Sequence, residues 1–173
     1  GPTTVAAGTL ALAGPADGAA GDATIAALAQ AVPASQRLSD ATAVTVLPGA
    51  TLQLAGDQTV ATLLLQGTLA GSGTLAAATY RLEGGAALAD LGAGALTSVG
   101  DSVLAGRSAA GTVDVQTGQL RLAAADRLAD GAAVSVASAA RLTLAGDDRV
   151  DSLALRGTLD GSGTLRSRAT TLD

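Results

Sequence analysis

Two stretches of this chain, residues 37–83 and 127–173, repeat one pattern at a constant offset of 90 residues. They align without a gap, and 24 of their 47 positions are identical. A third trace aligns Gly8–Ala13 with Gly118–Ala123 at an offset of 110, so the earliest copy carries about 20 additional residues. A duplication of this kind favours a fold that is built by stacking repeated units.

Inside each copy the pattern is that of β-strands. The segment "AVTVLPGATLQLAGD" (43–57) alternates apolar and polar residues in short runs, which are separated by Pro-Gly and Gly-Asp corners. Such runs recur about every 19 residues in both copies. We therefore predict an all-β chain, a right-handed parallel β-helix (β-solenoid) with rungs of about 18–20 residues. An antiparallel sandwich also uses short strands, but it gives no reason for steps of near-constant length.

The predicted organisation is one β-helical domain with an insertion in its first copy. The parts are the single domain 1–173, the insertion with a short helix at 13–36, the repeat unit at 37–126 and the partial second unit at 127–173.

The additional block Gly14–Gln36 changes its periodicity, which predicts a helix. Asp22 can cap a short helix from Ala23 to about Val32, which the following proline would end. Ile25 and Leu28 would lie on its apolar face, and they are candidate partner contacts. The block is interpreted either as a tolerated loop insertion or as a binding or capping element.

Two glycine-rich segments, "GTLAGSGTL" (67–75) and "GTLDGSGTL" (157–165), resemble a phosphate cradle. A dinucleotide site needs a helix directly after the glycines, and neither segment is followed by an apolar helical stripe. The glycines are therefore predicted to form rung corners. A short acidic side chain precedes each segment, after "LAG", where it can bond backbone amides. The residues assigned to structural turns are Gly71, Gly73, Gly161, Gly163, Asp57 and Asp147.

The composition excludes most catalytic chemistry. The chain has no His, Cys, Lys or Asn, so a Ser or Thr nucleophile has no conventional base and zinc has no imidazole or thiolate ligand. Asp147 and Asp148 are the only adjacent carboxylates, and alternation would send their side chains to opposite faces if both lay in a strand. Calcium could bind near these residues, but the "GGxGxD" calcium repeat is not present. We predict no enzymatic activity, no cofactor and no metal site.

The charges indicate which partners the chain could have. Its net charge is −5 and Tyr80 is its only aromatic residue, which argues against nucleic acid and against an aromatic sugar platform. Arginines crowd the second copy, and Arg149, Arg156 and Arg166 are candidate contacts for an anionic extracellular polysaccharide or a surface protein. Interleaved aspartates favour the alternative of a salt-bridged solvent face.

No apolar run approaches the roughly 18 residues that span a bilayer, and no signal peptide is recognisable. Gly1-Pro2 is typical of the residues left when a tag is removed by a protease. We therefore expect an excised piece of a longer protein.

The segment Gly111–Leu165 resembles the β-strand repeats of autotransporter passengers and of filamentous-haemagglutinin-like exoproteins of two-partner secretion. The resemblance rests on "GQLRL", "ADRLAD", "AVSV", "ARLTLAGD" and "GTLDGSGTL", and Ala78–Gly100 is similar to the linking segments of these proteins. It implies a secreted β-helical stalk or adhesin at a Gram-negative cell surface, exported by an outer-membrane transporter and supporting attachment or biofilm formation. The resemblance implies no catalytic residues.

Overall fold

The fold is an all-β parallel β-solenoid of about eight turns. A computed structural model describes residues 3–5, 23–25, 29–32 and 38–173, and within these residues there is no helix. The strands are β1 (Thr3–Val5), β2 (Ala23–Ile25), β3 (Ala29–Val32), β4 (Ala43–Val46), β5 (Thr51–Leu54), β6 (Gln58–Leu65), β7 (Thr68–Gly71), β8 (Thr74–Glu83), β9 (Ala86–Ala87), β10 (Asp90–Leu91), β11 (Ala95–Val99), β12 (Ser102–Leu104), β13 (Thr112–Leu122), β14 (Ala133–Val136), β15 (Ala140–Leu144), β16 (Asp148–Leu155), β17 (Thr158–Gly161) and β18 (Leu165–Leu172).

The strands of the solenoid form three faces. The first face stacks β1, β2, β4, β11, β14 and the adjoining parts of β6, β8, β13, β16 and β18. The second face stacks β3, β5, β7, β9, β12, the later part of β13, β15 and β17. The third face contains the opening parts of β6, β8, β16 and β18 together with β10. Long strands such as β6 and β8 bend around the corner between the third and first faces.

The core is a set of aliphatic columns that run along the axis of the rod. Side chains alternate inward and outward along each strand, and the parallel register places inward residues of successive turns above one another. Burying each leucine contributes about 2 kcal/mol to stability, and the stacked columns close a core that no single turn could form. One column on the first face contains Val44, Leu63, Tyr80, Leu96, Val113, Val134 and Leu153.

The predicted helix from Ala23 to about Val32 is wrong. Ala23–Ile25 forms strand β2, which pairs with β1 and β4, and Ala29–Val32 forms strand β3, which pairs with β5. A ten-residue helix would leave its terminal backbone groups without partners, whereas strands bond directly to the adjacent turn. Ala23 has Thr3 as its register partner on one side and Val44 on the other, so strand β2 stacks between strands of the adjacent turns.

The turns differ in length more than the sequence pattern predicts. Thr79 pairs with Ala95 across one of the shortest turns, whereas Gly118 pairs with Ala140 across one of the longest. The differences are absorbed at the corners, so the inward columns remain aligned along the strands.

One buried hydroxyl interrupts an aliphatic column. Ser98 is fully buried between its register partners Leu82 and Val115, and its Oγ has no hydrogen-bond partner. A buried polar group without a partner lowers stability, because it has given up its hydrogen bonds to water.

Replacing Ser98 with valine should raise the free energy of unfolding by about 1–2 kcal/mol, because the change removes this hydroxyl and adds apolar contact. Urea denaturation followed by circular dichroism measures the effect. Ser108→Val is the matched control, since Ser108 is also buried but its Oγ accepts the Ala110 N–H at 3.3 Å. Equal stabilisation by both changes would show that added volume, and not the unpaired hydroxyl, is responsible.

Candidate functional site

The structure brings together two of the three arginines that the sequence nominated. Arg149 in β16 and Arg166 in β18 are register partners on consecutive turns of the third face, and both are exposed. Arg156 lies beyond the end of β16, where it forms an ion pair with Asp173 at 3.2 Å. Among the described residues, neither Arg149 nor Arg166 forms an ion pair. Of the three nominated arginines, only this adjacent pair can therefore contribute to one site.

The other two nominated contacts belong to the block that was expected to be helical. Ile25 lies at the end of strand β2, in register with Val46. Leu28 lies outside the described residues. The apolar helical face that would have presented both side chains to a partner is not formed.

The arginine pair borders a cleft of about 430 Å³ whose lining has mixed charge. Arg168 also lines the cleft, and its Nη1 is 3.8 Å from Oδ1 of Asp151. The aspartates in the lining outnumber the arginines, so the cleft does not concentrate positive charge. It can hold a polar group, but it does not have the strong positive field of an anion site. The lining residues are Asp126, Asp130, Asp147, Asp148, Arg149, Arg166, Ser167 and Arg168.

Asp148 is the buried carboxylate of this region. Asp148, the first residue of β16, points inward and is 4% exposed, whereas Asp147, which precedes the strand, is exposed. One oxygen of Asp148, Oδ2, accepts the Arg127 and Leu128 N–H groups of the preceding turn at 2.8 and 3.2 Å, and Oδ1 accepts the Arg149 N–H at 2.8 Å. Its counterpart in the first copy, Gln58, accepts the Leu38 N–H at 3.3 Å. The position therefore joins consecutive turns in both copies.

Burial of Asp148 raises the pKa of its carboxyl group, because desolvation outweighs the three backbone N–H groups that favour the charged form. The nearby charge of Asp126 acts in the same direction. The folded chain thus holds the proton more tightly than the unfolded chain, and stability from this group increases as pH falls through the range just above the ordinary aspartate value.

Lowering the pH from about 7 to about 4 should improve the stability of the wild type relative to an Asp148→Gln variant, which has no proton to bind at this position. The measurement is the free energy of unfolding of both proteins, obtained by urea denaturation at a series of pH values. An Asp147→Asn variant provides the control for an exposed carboxyl group. The raised pKa would be contradicted if the difference in free energy of unfolding between wild type and Asp148→Gln did not change with pH, or if acid stabilised the variant more than the wild type.

The aspartates at the corners bond from one turn to the next. Asp57 Oδ1 accepts the Thr74 N–H at 2.8 Å, and Asp147 Oδ1 accepts the Thr164 N–H at 2.8 Å. Sequence reasoning missed two further carboxylates with the same role: Asp90 accepts the Arg107 N–H at 2.7 Å, and Asp101 accepts the Gln119 N–H at 3.0 Å. An aspartate at the start of a short strand, as in "DL" or "DS", is the sequence signal that could have found them.

The glycines of the repeated motif lie where one turn touches the preceding one. Gly71 has a φ of +116°, and a Cβ there would lie 1.9 Å from the carbonyl oxygen of Leu54. At Gly73 a Cβ would lie 2.1 Å from the carbonyl oxygen of Gly56. Gly161 and Gly163 repeat this geometry in the second copy, with corresponding distances of 2.1 and 2.0 Å. The space that a phosphate would need is occupied by the backbone of the neighbouring turn.

Tyr80, the single aromatic residue, belongs to the core and not to a binding surface. Its ring is 1% exposed, and its hydroxyl accepts the Ala77 N–H at 2.7 Å and donates to the Leu75 carbonyl at 3.0 Å. Burial raises the pKa of the Tyr80 hydroxyl. The ring closes the core around the bend in β8 and is not available for stacking on a sugar.

Within the described residues, no group of three or more acidic side chains is arranged to hold a metal ion. The same part of the chain has no helix long and apolar enough to cross a membrane. Comparison of the whole chain with protein families, with curated proteins and with solved structures finds no match.

Proposed function

We propose that this chain is a structural rod segment of a large secreted bacterial surface adhesin, which supports attachment or biofilm formation. The observation that carries the proposal is the continuous stacking of the turns around one aliphatic core. The corner carboxylates reinforce this interpretation, because they are used as acceptors for the backbone of the next turn. A rod of this kind holds other parts of a protein at a distance and needs no reactive site.

The assignment to the filamentous-haemagglutinin-like and autotransporter proteins rests on the resemblance of the repeats, and the parallel β-solenoid agrees with it. Under this proposal the chain is exported through an outer-membrane transporter and displayed at the cell surface. It has no enzymatic activity, so incubation with acidic polysaccharides should release no reducing sugar.

The second candidate is a module that recognises an anionic extracellular polysaccharide. The observation in its favour is the exposed pair Arg149 and Arg166, whose strands are adjacent in the parallel ladder. Two neighbouring guanidinium groups can bind successive carboxylates of an acidic sugar chain. The aspartates that line the same cleft weaken this candidate, because they reduce its positive potential.

Binding of the labelled chain to the matrix polysaccharide of the producing bacterium separates the two functions. The variants are Arg149→Ser/Arg166→Ser and a charge-matched control, Arg107→Ser/Arg121→Ser, at two exposed positions elsewhere. We expect no saturable binding by any of the three proteins, as a spacer requires. Saturable binding that is lost only in Arg149→Ser/Arg166→Ser would overturn the proposal of a structural rod and support a recognition module.

A further inference from the structure

The outer surface of the first face is flat and has few charges. Two outward columns run along it, and we call them together the flat face. Small side chains dominate both columns, so the surface has little relief. The first column contains Ala43, Thr62, Thr79, Ala95, Thr112, Ala133, Ser152 and Ala169, and the second contains Thr45, Leu64, Arg81, Thr97, Asp114, Ser135, Ala154 and Thr171.

The two charges of the flat face are placed symmetrically. Arg81 and Asp114 lie in the same column, and each is the direct register partner of Thr97, one on either side. The two columns carry no other charged side chain. Consider a second copy that faces the first and is rotated by 180° about an axis along β11 through Thr97. Its Asp114 would lie opposite Arg81 of the first copy, and its Arg81 opposite Asp114.

We propose that the flat face binds the flat face of a second copy of this chain, with the two rods antiparallel. The twofold axis runs along strand β11 through Ala95 and Thr97. In a symmetric dimer of this kind both ion pairs form at once, because each contact occurs twice.

Both charged groups already have partners within the chain, and both retain the capacity for another. Arg81 contacts Glu83, but a guanidinium group has five N–H donors and can bind a second carboxylate. Asp114 accepts hydrogen bonds from Ser135 at 2.6 Å and from Gln116 at 2.8 Å, and a carboxylate has about four acceptor sites. These contacts hold the two side chains in place on the surface.

An independent feature of the surface agrees with the same axis. Leu64 is the largest apolar side chain of the flat face, and it lies two turns from Thr97 on the Arg81 side. Two turns away on the other side is Ser135, which lines a shallow cleft of about 360 Å³ together with Ala133 and Ser152. The twofold axis places Leu64 of each copy opposite this cleft. Small side chains thus leave space where the partner presents a larger one.

The parallel arrangement of two rods is disfavoured by the same charges. A twofold axis along the rod and through this column would place Arg81 opposite Arg81 and Asp114 opposite Asp114. Like charges that face each other across an interface oppose association. The positions of the two charges therefore select the antiparallel arrangement.

The area of the flat face determines how tightly two copies are expected to bind. From the usual strand spacing, each copy would bury on the order of 500 Å², so that the total is near the lower limit of about 1,000 Å² for a specific interface. We expect a weak, concentration-dependent dimer. Its small area also makes it sensitive to the two ion pairs.

Sedimentation velocity over a range of concentrations tests the proposal through charge reversal. The Arg81→Asp and Asp114→Arg variants should each associate about tenfold more weakly than the wild type, because each homodimer contains two like-charge contacts. An equimolar mixture of the two variants should regain association, since both contacts are then between opposite charges. A wild type that stays monomeric, single variants that dimerise like the wild type, or a mixture as weak as its components would each overturn the proposal.

Cross-linking locates the axis, because the chain has no cysteine of its own. A Thr97→Cys variant should form a covalent dimer with a short bis-maleimide that spans the sheet spacing of about 10 Å. A Thr45→Cys variant should not, because its symmetry mate would lie at the other end of the interface. A mixture of Thr45→Cys and Ala154→Cys should cross-link, as these positions face each other. Equal cross-linking of Thr97→Cys and Thr45→Cys alone would contradict the axis and indicate random collision.

Discussion

Replacing Gly71 with alanine should lower the free energy of unfolding by about 3–5 kcal/mol, the largest effect that we expect from a single methyl group in this chain. Gly71 has a φ of +116°, which costs energy for any residue with a Cβ, and the new methyl would lie 1.9 Å from the carbonyl oxygen of Leu54. The methyl would collide with backbone, which cannot move aside as a flexible side chain can. Urea denaturation followed by far-ultraviolet circular dichroism measures the loss.

Gly111→Ala is the matched control for this change. Gly111 is exposed, its φ lies outside the left-handed region, and an added Cβ would meet nothing within 4 Å. Alanine there should be neutral or should stabilise by up to about 1 kcal/mol, because it restricts the unfolded chain. If Gly71→Ala and Gly111→Ala had similar free energies of unfolding, the inference that successive turns approach too closely at Gly71 for a Cβ would be wrong.

Replacing Asp148 with alanine should lower the free energy of unfolding by about 2–4 kcal/mol. The change removes the acceptor of the Arg127, Leu128 and Arg149 N–H groups, and Leu128 is too buried for water to replace it. Hydrogen exchange at the Leu128 amide should accelerate more than exchange in strands on distant turns. Urea denaturation at neutral pH measures the total decrease in the free energy of unfolding.

Asp148→Gln tests the cause of this loss. The first copy already uses a glutamine at the equivalent position, Gln58, whose Oε1 accepts the Leu38 N–H. The variant should retain part of the lost stability, since its side-chain carbonyl can accept the Leu128 N–H. Asp148→Gln as unstable as Asp148→Ala would show that the charge, and not the hydrogen bond between turns, is what matters.

The fold could be predicted from the sequence because its columns repeat. Alternation in runs such as "AVTV" and "TLQL" defines which residues point inward, and the 90-residue duplication favours an arrangement of stacked units. The predicted helix at Ala23–Val32 failed because a short alanine-rich segment satisfies both periodicities. Its neighbours decided the outcome: the edges of β4 and β5 offer backbone partners to strands but none to a helix.

The contacts between turns could not be predicted in the same way. A corner carboxylate such as Asp90 bonds to an amide of the following turn, while Oδ2 of Asp148 bonds to amides of the preceding turn. Because turns differ in length, composition and motif do not define which residues become neighbours along the rod. The three arginines Arg149, Arg156 and Arg166 look alike in the sequence, and only the register shows that Arg149 and Arg166 are partners on adjacent turns.

The register also determines how such a chain can acquire its structure. Every strand pairing of the described residues joins one turn to the next, and none spans more of the chain than the step from Gly118 to Ala140. Loop closure over such short separations is fast and costs little entropy, so the contact order of the rod stays low however long the rod becomes. A turn can fold on the one before it as soon as its own residues are free. A chain that leaves a narrow pore one end first could therefore fold progressively, and each added turn would oppose its return.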